Sequence, residues 1–177
     1  LVVRPGNQNP VAENICVEDG IISEIGSSLQ PNSSQDVIEA AGKVLLPGLC
    51  DVHVHIREPG REDCETIQSA TEAALAGGFT RILSMPNTTP PIDTGGMVTY
   101  ISSISKSQGK IPVSVSGCLT VGRKGEKLAE IADMASQGAV MVTDCNHPVR
   151  DPYVLRRALE YSRYSDIVVA VYPDTPA

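Results

Sequence analysis

Aromatic side chains are nearly missing from this sequence: there is no Trp, a single Phe and five Tyr, 3% in all. A core assembled without rings has to be filled by Val, Ile, Leu and Ala, which suits stacked β/α layers. Long hydrophobic runs are missing too. No stretch approaches the ~20 apolar residues that a membrane helix needs, and the opening LVVRPGNQNP lacks the apolar segment of a signal peptide. The expected compartment is the cytoplasm, with no membrane partner. Positive charge is short as well, 14 Lys and Arg against 21 Asp and Glu for a net charge of −7. No basic cluster is long enough to follow a phosphate backbone, so nucleic acid is not an expected partner. The five cysteines, Cys16, Cys50, Cys64, Cys118 and Cys145, are odd in number and contain no C-x-x-C pair. That argues against a disulfide framework and against a structural zinc knot, and most of the thiols read as buried and free.

What is present is an ordinary globular composition, 41% hydrophobic and 20% charged over 177 residues, enough for one or two domains. The first residue is Leu rather than Met, which reads as a start that has been trimmed. Residues 1–46 carry short β-type runs at Leu1 to Val3, Ile15 to Val17, Ile21 to Ile25 and Val37 to Ala40, an N-terminal β unit. Asp19-Gly20 between two of these runs is a hairpin signal, because a type I′ turn needs positive φ at both central residues.

From residue 47 to 177 strand runs alternate with helical periodicity, the pattern of βα units on a parallel sheet. The strands fall at Leu49 to Ile56, Thr80 to Met85, Ile111 to Ser116, Ala139 to Thr143 and Ile167 to Tyr172. The first helix follows the stripe Ile67, Ala70, Ala74, Leu75, with Asp63 as N-cap and Gly77-Gly78 as its end. A second spans Met97 to Lys106, a third follows Leu128, Ile131, Ala132 and Ala135 to Gly138, and a fourth starts at Asp151-Pro152 and runs through Leu155, Ala158 and Leu159. The fold class is α/β, a partial (β/α)₈ barrel of five strands preceded by a small β domain. A closed barrel takes eight strands and about 250 residues, so roughly half is present.

His53-Val54-His55 closes the first strand of the β/α part. Residues i and i+2 of a strand share a face about 6.6 Å apart, so two imidazoles can converge on one metal ion. Two His tiling a polar strand face would give the same pattern, and the surrounding residues decide between them. The segment PGLCDVHVHIREPG, residues 47–60, resembles the metal-binding segment of dihydroorotases in the amidohydrolase superfamily. Met85-Pro86-Asn87-Thr88 is similar to a second segment of that family, and weaker family-like stretches run through most of the chain.

The resemblance implies zinc as cofactor, with metal ligands His53 and His55, and substrate-binding roles for Arg57 and Asn87 on a small-molecule carboxylate. A guanidinium fork suits a planar carboxylate, although Arg57 could instead pair with Glu58 or Glu62 on the surface. It further implies a cyclic amidohydrolase that interconverts N-carbamoyl-aspartate and dihydroorotate in pyrimidine biosynthesis. Allantoinase and hydantoinase are the near alternatives.

The chain also departs from the family. A bridging carboxylate is expected after the fourth barrel strand, where Val142-Thr143-Asp144-Cys145-Asn146 stands. Spacing puts Cys145 at that position and Asp144 one residue earlier, and which of them faces the metal stays open. The family's strand-five ligand His falls on Tyr172, a poor zinc ligand because a phenol titrates near 10. His147 reads as a solvent-exposed loop residue. No catalytic residue is assigned, zinc is expected to be held weakly, and this 177-residue chain is expected to be inactive. Whether the protein is an enzyme therefore stays open. The alternative is a non-catalytic homologue acting as a structural or binding subunit, as a homo-oligomer or beside an aspartate transcarbamoylase.

Overall fold

The computed structural model describes residues 1–6 and 9–174. The chain divides into two compact units, Leu1–Gly48 and a second that begins at Leu49.

In the first unit β1 (Asn14–Glu18) and β2 (Ile21–Gly26) pair antiparallel. Asp19 and Gly20 sit at φ 51 and 76, the two positive values that a type I′ hairpin turn requires. The other two runs expected to be strands are reduced. Val2 makes only isolated bridges, to Val11 and Leu45, and 37–40 has no strand at all. Ile38 is 91% exposed, so that run buries nothing that would hold it extended.

The second unit is a five-stranded parallel sheet in sequential order, β3 (Leu49–Val54), β4 (Phe79–Ser84), β5 (Val113–Gly117), β6 (Ala139–Val142) and β7 (Val168–Val169). Between the strands run α1 (Ile67–Ala76), α2 (Gly95–Gln108), α3 (Ile131–Ser136) and α4 (Pro152–Ser165). This is the half-barrel that the alternating pattern predicted. Its core is aliphatic, with Ile56, Ile67, Ile82, Ile101, Val115 and Met134 essentially sealed from solvent.

Several helix limits differ from expectation for identifiable reasons. Thr66, not Asp63, caps α1: the Thr66 hydroxyl accepts from the Ser69 N–H, and the Ser69 hydroxyl accepts in turn from the Thr66 N–H. Asp63 instead pairs with Arg61 at 2.9 Å. Helix α2 starts on Gly95, whose N–H donates to Asp133 at 2.9 Å, and a Cβ there would lie 2.5 Å from that carboxylate. Gly at a helix start is thus required by close packing. Helix α3 omits Leu128, which bridges back to Thr120. Asp151 caps α4 with Pro152 behind it, as expected. The last expected strand, 167–172, narrows to Val168–Val169, and it pairs only with β6 among the described residues.

The cysteines are all free, but only Cys118 and Cys145 are buried. Cys16 is half-buried, and Cys50 and Cys64 are exposed, which corrects the expectation of buried thiols.

Candidate functional site

Barrel sheets carry their chemistry on the loops after the strands' C-terminal ends. Three such ends meet here. His53 lies within β3, with its backbone N–H donating to Asp51 Oδ1 at 2.9 Å, and His55 follows directly after the strand. Their rings are 5.0 Å apart at 74°, so the i, i+2 spacing brings them to one side. Cys145 reaches the same place from the loop after β6. The nearest donor atoms of His53, His55 and Cys145 all lie within 4.8 Å of one another. Both rings are exposed and the thiol is buried.

Asn87 and Arg57 flank this cluster. Asn87, after β4, offers Oδ1 to His55 Nδ1 at 2.9 Å. With the amide oxygen accepting, this contact puts the His55 proton on Nδ1 and leaves Nε2 without one. The amide –NH₂ of Asn87 remains for another acceptor. Arg57 makes no ion pair or side-chain hydrogen bond among the described residues. Its two suggested surface partners are engaged elsewhere: Glu58 accepts from Ile67 N at 2.8 Å, and Glu62 from Gly60 N at 2.9 Å. Two loops that carry these groups are pressed together, since Thr89 N donates to Pro59 O at 2.9 Å.

Asp144 and Cys145 separate cleanly. The Asp144 carboxylate, 2% exposed, accepts from Leu119 N and Thr120 N at 3.0 Å each and from the Thr120 hydroxyl. It ties the end of β6 to the loop after β5, and it is not part of the His53–His55–Cys145 group. Cys145 adopts φ 54, a left-handed conformation unusual for a residue with a side chain. Burial pushes its thiol pKa up, Asp144 adds to this, and the charges of Arg123 and Arg57 pull in the opposite direction.

Arg123 was not singled out in the sequence. Its guanidinium donates to the Asp144 carbonyl at 3.1 Å and to Asn146 Oδ1 and His147 Nδ1 at 2.7 Å, bracing the loop that carries Cys145. No sequence motif announces such a brace. His147 is exposed and outside the cluster, and Tyr172 lies exposed beyond β7.

Fold and site together define a class, a β/α-barrel protein with a His–His–thiol cluster at the C-terminal strand ends beside an unpaired guanidinium. The chain belongs to the dihydro-orotase-like family, whose model matches residues 42–173. It is 44% identical to the dihydroorotase of Pelobacter propionicus over 95% of this chain and 40% of that protein. It is also 44% identical to the dihydroorotase of Acetivibrio thermocellus, over 95% of this chain and 39% of that protein. The chain thus spans about 40% of the length of these curated relatives. Among solved structures, the L-hydantoinase of Arthrobacter aurescens superposes with a TM-score of 0.76 at 23% identity, over 89% of this chain and 36% of that one. A dihydroorotase of Saccharomyces cerevisiae in complex with 5-fluoroorotic acid gives 0.52 at 21%, over 73% and 39%. Both establish the fold.

Proposed function

We propose that this chain is the metal-binding and carboxylate-recognising portion of a cyclic amidohydrolase of the dihydroorotase kind. It would interconvert N-carbamoyl-aspartate and dihydroorotate in the cytoplasmic synthesis of pyrimidines. The observation that carries the reading is the meeting of His53, His55 and Cys145 from two strand ends beside the unpaired Arg57. Imidazole and thiolate are the donors that zinc prefers, so the residues fit such an ion. When bound, zinc supplies a Lewis acid and lowers the pKa of water from 15.7 to about 7.

The protein's own groups do the rest of what can be assigned. The planar fork of Arg57 suits bidentate contact with the carboxylate beside the ring. The Asn87 –NH₂ is free to donate to the same carboxylate while its oxygen holds His55 in one tautomer. In ring opening, water oxygen bonds to the ring carbonyl carbon, the C–N bond breaks, and the leaving nitrogen takes a proton. The proton that the attacking water loses is the one the leaving nitrogen gains, so the step balances without a proton from His53, His55, Arg57, Asn87 or the thiolate of Cys145. A ring without an exocyclic carboxylate leaves Arg57 unsatisfied, which favours dihydroorotate over allantoin or a simple hydantoin.

The test uses the protein carrying this segment at full length, zinc-loaded, with dihydroorotate and dihydrouracil followed in the ultraviolet. Dihydroorotate should be bound and opened, and dihydrouracil should not. Arg57→Lys should weaken dihydroorotate binding roughly 10-fold to 100-fold, the worth of about 1.5–3 kcal/mol for a charge-assisted contact. Equal handling of the two rings, or indifference to Arg57→Lys, would sink the reading. A second reading, a non-catalytic homologue serving as a structural subunit, is favoured by Cys145 and by Tyr172 where the family resemblance calls for a His. Binding of dihydroorotate without turnover would select it.

A further inference from the structure

We infer that Cys145 is itself a metal ligand, so that the cluster is a single-ion His53–His55–Cys145 centre with one open position, selective for zinc-like ions over magnesium or manganese. The inference rests on the proposed metal-dependent reading and deepens it.

Three observations converge. The first is distance. Tetrahedral zinc with Zn–N of 2.0–2.1 Å and Zn–S of 2.3 Å sets its ligand atoms roughly 3.3–3.6 Å apart. The cluster's ceiling of 4.8 Å exceeds that by about 1 Å. The second is backbone conformation. Cys145 holds φ 54, which costs a side-chain-bearing residue about 1–2 kcal/mol relative to the right-handed or extended regions. The position is fixed on both sides, before it by the Asp144 bonds to Leu119 and Thr120 and after it by Arg123 donating to Asn146 Oδ1 at 2.7 Å. Such strain persists where the surroundings over-determine it, and here it turns Sγ to the two imidazoles. The third is the lack of a competitor. Asp144, the adjacent carboxylate, already accepts three hydrogen bonds from Leu119 and Thr120, and no fourth His, Cys, Asp or Glu joins the group among the described residues.

Two imidazoles and a thiolate leave one coordination position for water or substrate, the usual count in a catalytic zinc site. A thiolate also sets the preference, because magnesium and manganese favour oxygen donors. The apolar wall of Leu83 and Met85 around Cys145 offers those ions no oxygen in compensation.

The test is anaerobic cobalt(II) titration of the full chain with Cys16, Cys50 and Cys64 replaced by Ser, so that no accessible thiol competes. One equivalent should bind and produce a thiolate-to-cobalt charge-transfer band in the near ultraviolet. Cys145→Gly should abolish the band and weaken zinc about 100-fold or more, beyond the 10–100-fold typical of losing an outer partner. Gly accepts φ 54 without strain, so the variant should melt no lower than its parent in the absence of metal, which separates ligand loss from misfolding. Cobalt bound with no thiolate band, yet lost in His53→Ala, would overturn the inference and leave the amidohydrolase reading standing. A thiolate band in a protein that neither binds nor opens dihydroorotate would support the inference and sink that reading. Failure to bind zinc or cobalt at all, or equal binding of magnesium, would overturn the inference.

Discussion

Asp144 and Cys145 are neighbours with opposite destinations, and the difference is measurable at each. The Asp144 carboxylate satisfies two buried backbone N–H groups and a hydroxyl. Removing it strands three donors, each at about 1–3 kcal/mol, so Asp144→Ala should lose about 3 kcal/mol or more in urea unfolding. A loss below about 1 kcal/mol would mean that water replaces the carboxylate and that the loop is not held as described. The sequence left the choice between these residues open for a physical reason. Both follow a strand end, where period-2 alternation stops predicting direction, and the deciding feature is the positive φ of Cys145, which no propensity assigns to Cys. His53 and His55 were legible because alternation still governs β3. Asn87 was legible as a candidate site residue only through the family resemblance. Its bond to His55 joins residues 32 apart in sequence, and no local pattern records it.

At the scale of elements, the loops after β3 and β4 touch through Gly60 and Thr89. Gly60 has φ 102, and a Cβ there would lie 2.2 Å from the Thr89 carbonyl oxygen and 2.6 Å from Thr89 Cβ. Backbone cannot yield as a flexible side chain does. Gly60→Ala should therefore cost about 2 kcal/mol or more and lower the melting midpoint by about 4 °C or more. Gly78→Ala is the control: its φ is 83 but nothing lies within 4 Å, so only conformational strain of about 1 kcal/mol applies. Equal effects would show that the Gly60 contact is loose. These loops carry Arg57 and Asn87, so the crowded glycine sets the spacing of the site. The helices themselves were readable from apolar stripes and punctuation, as at Asp151-Pro152. The cap of α1 was misplaced because Asp63 and Thr66 are both good capping residues, and only the Arg61 partner at 2.9 Å explains why Asp63 is not used.

On the scale of the whole molecule, the five strands were visible in the alternation of apolar runs and helices, while sheet closure depends on pairing that no single strand encodes. Parallel sheets are stable when both faces are covered and both edges are paired or shielded. Among the described residues the sheet ends at β3 on one side and β7 on the other. Val52 is 64% exposed and Val168 is 62% exposed, and Val171 and Tyr172 beyond β7 are also open to solvent. None of these positions carries a charge that would repel an incoming strand, and among the described residues β7 has no strand partner on its outer side. A polypeptide of residues 1–177 should accordingly associate with itself at concentrations on the order of 10–100 μM, seen as a concentration-dependent rise in sedimentation coefficient and light scattering. Val168→Lys places a charge on the open edge and should reduce that association while leaving helix content unchanged, because Val168 packs against little that it could disrupt. If the parent polypeptide sediments as a monomer across that range, the edges are less adhesive than their composition predicts. If Val168→Lys leaves association unchanged, self-association runs through another surface, and the exposed face of β3 around Leu49 and Val52 becomes the next one to charge.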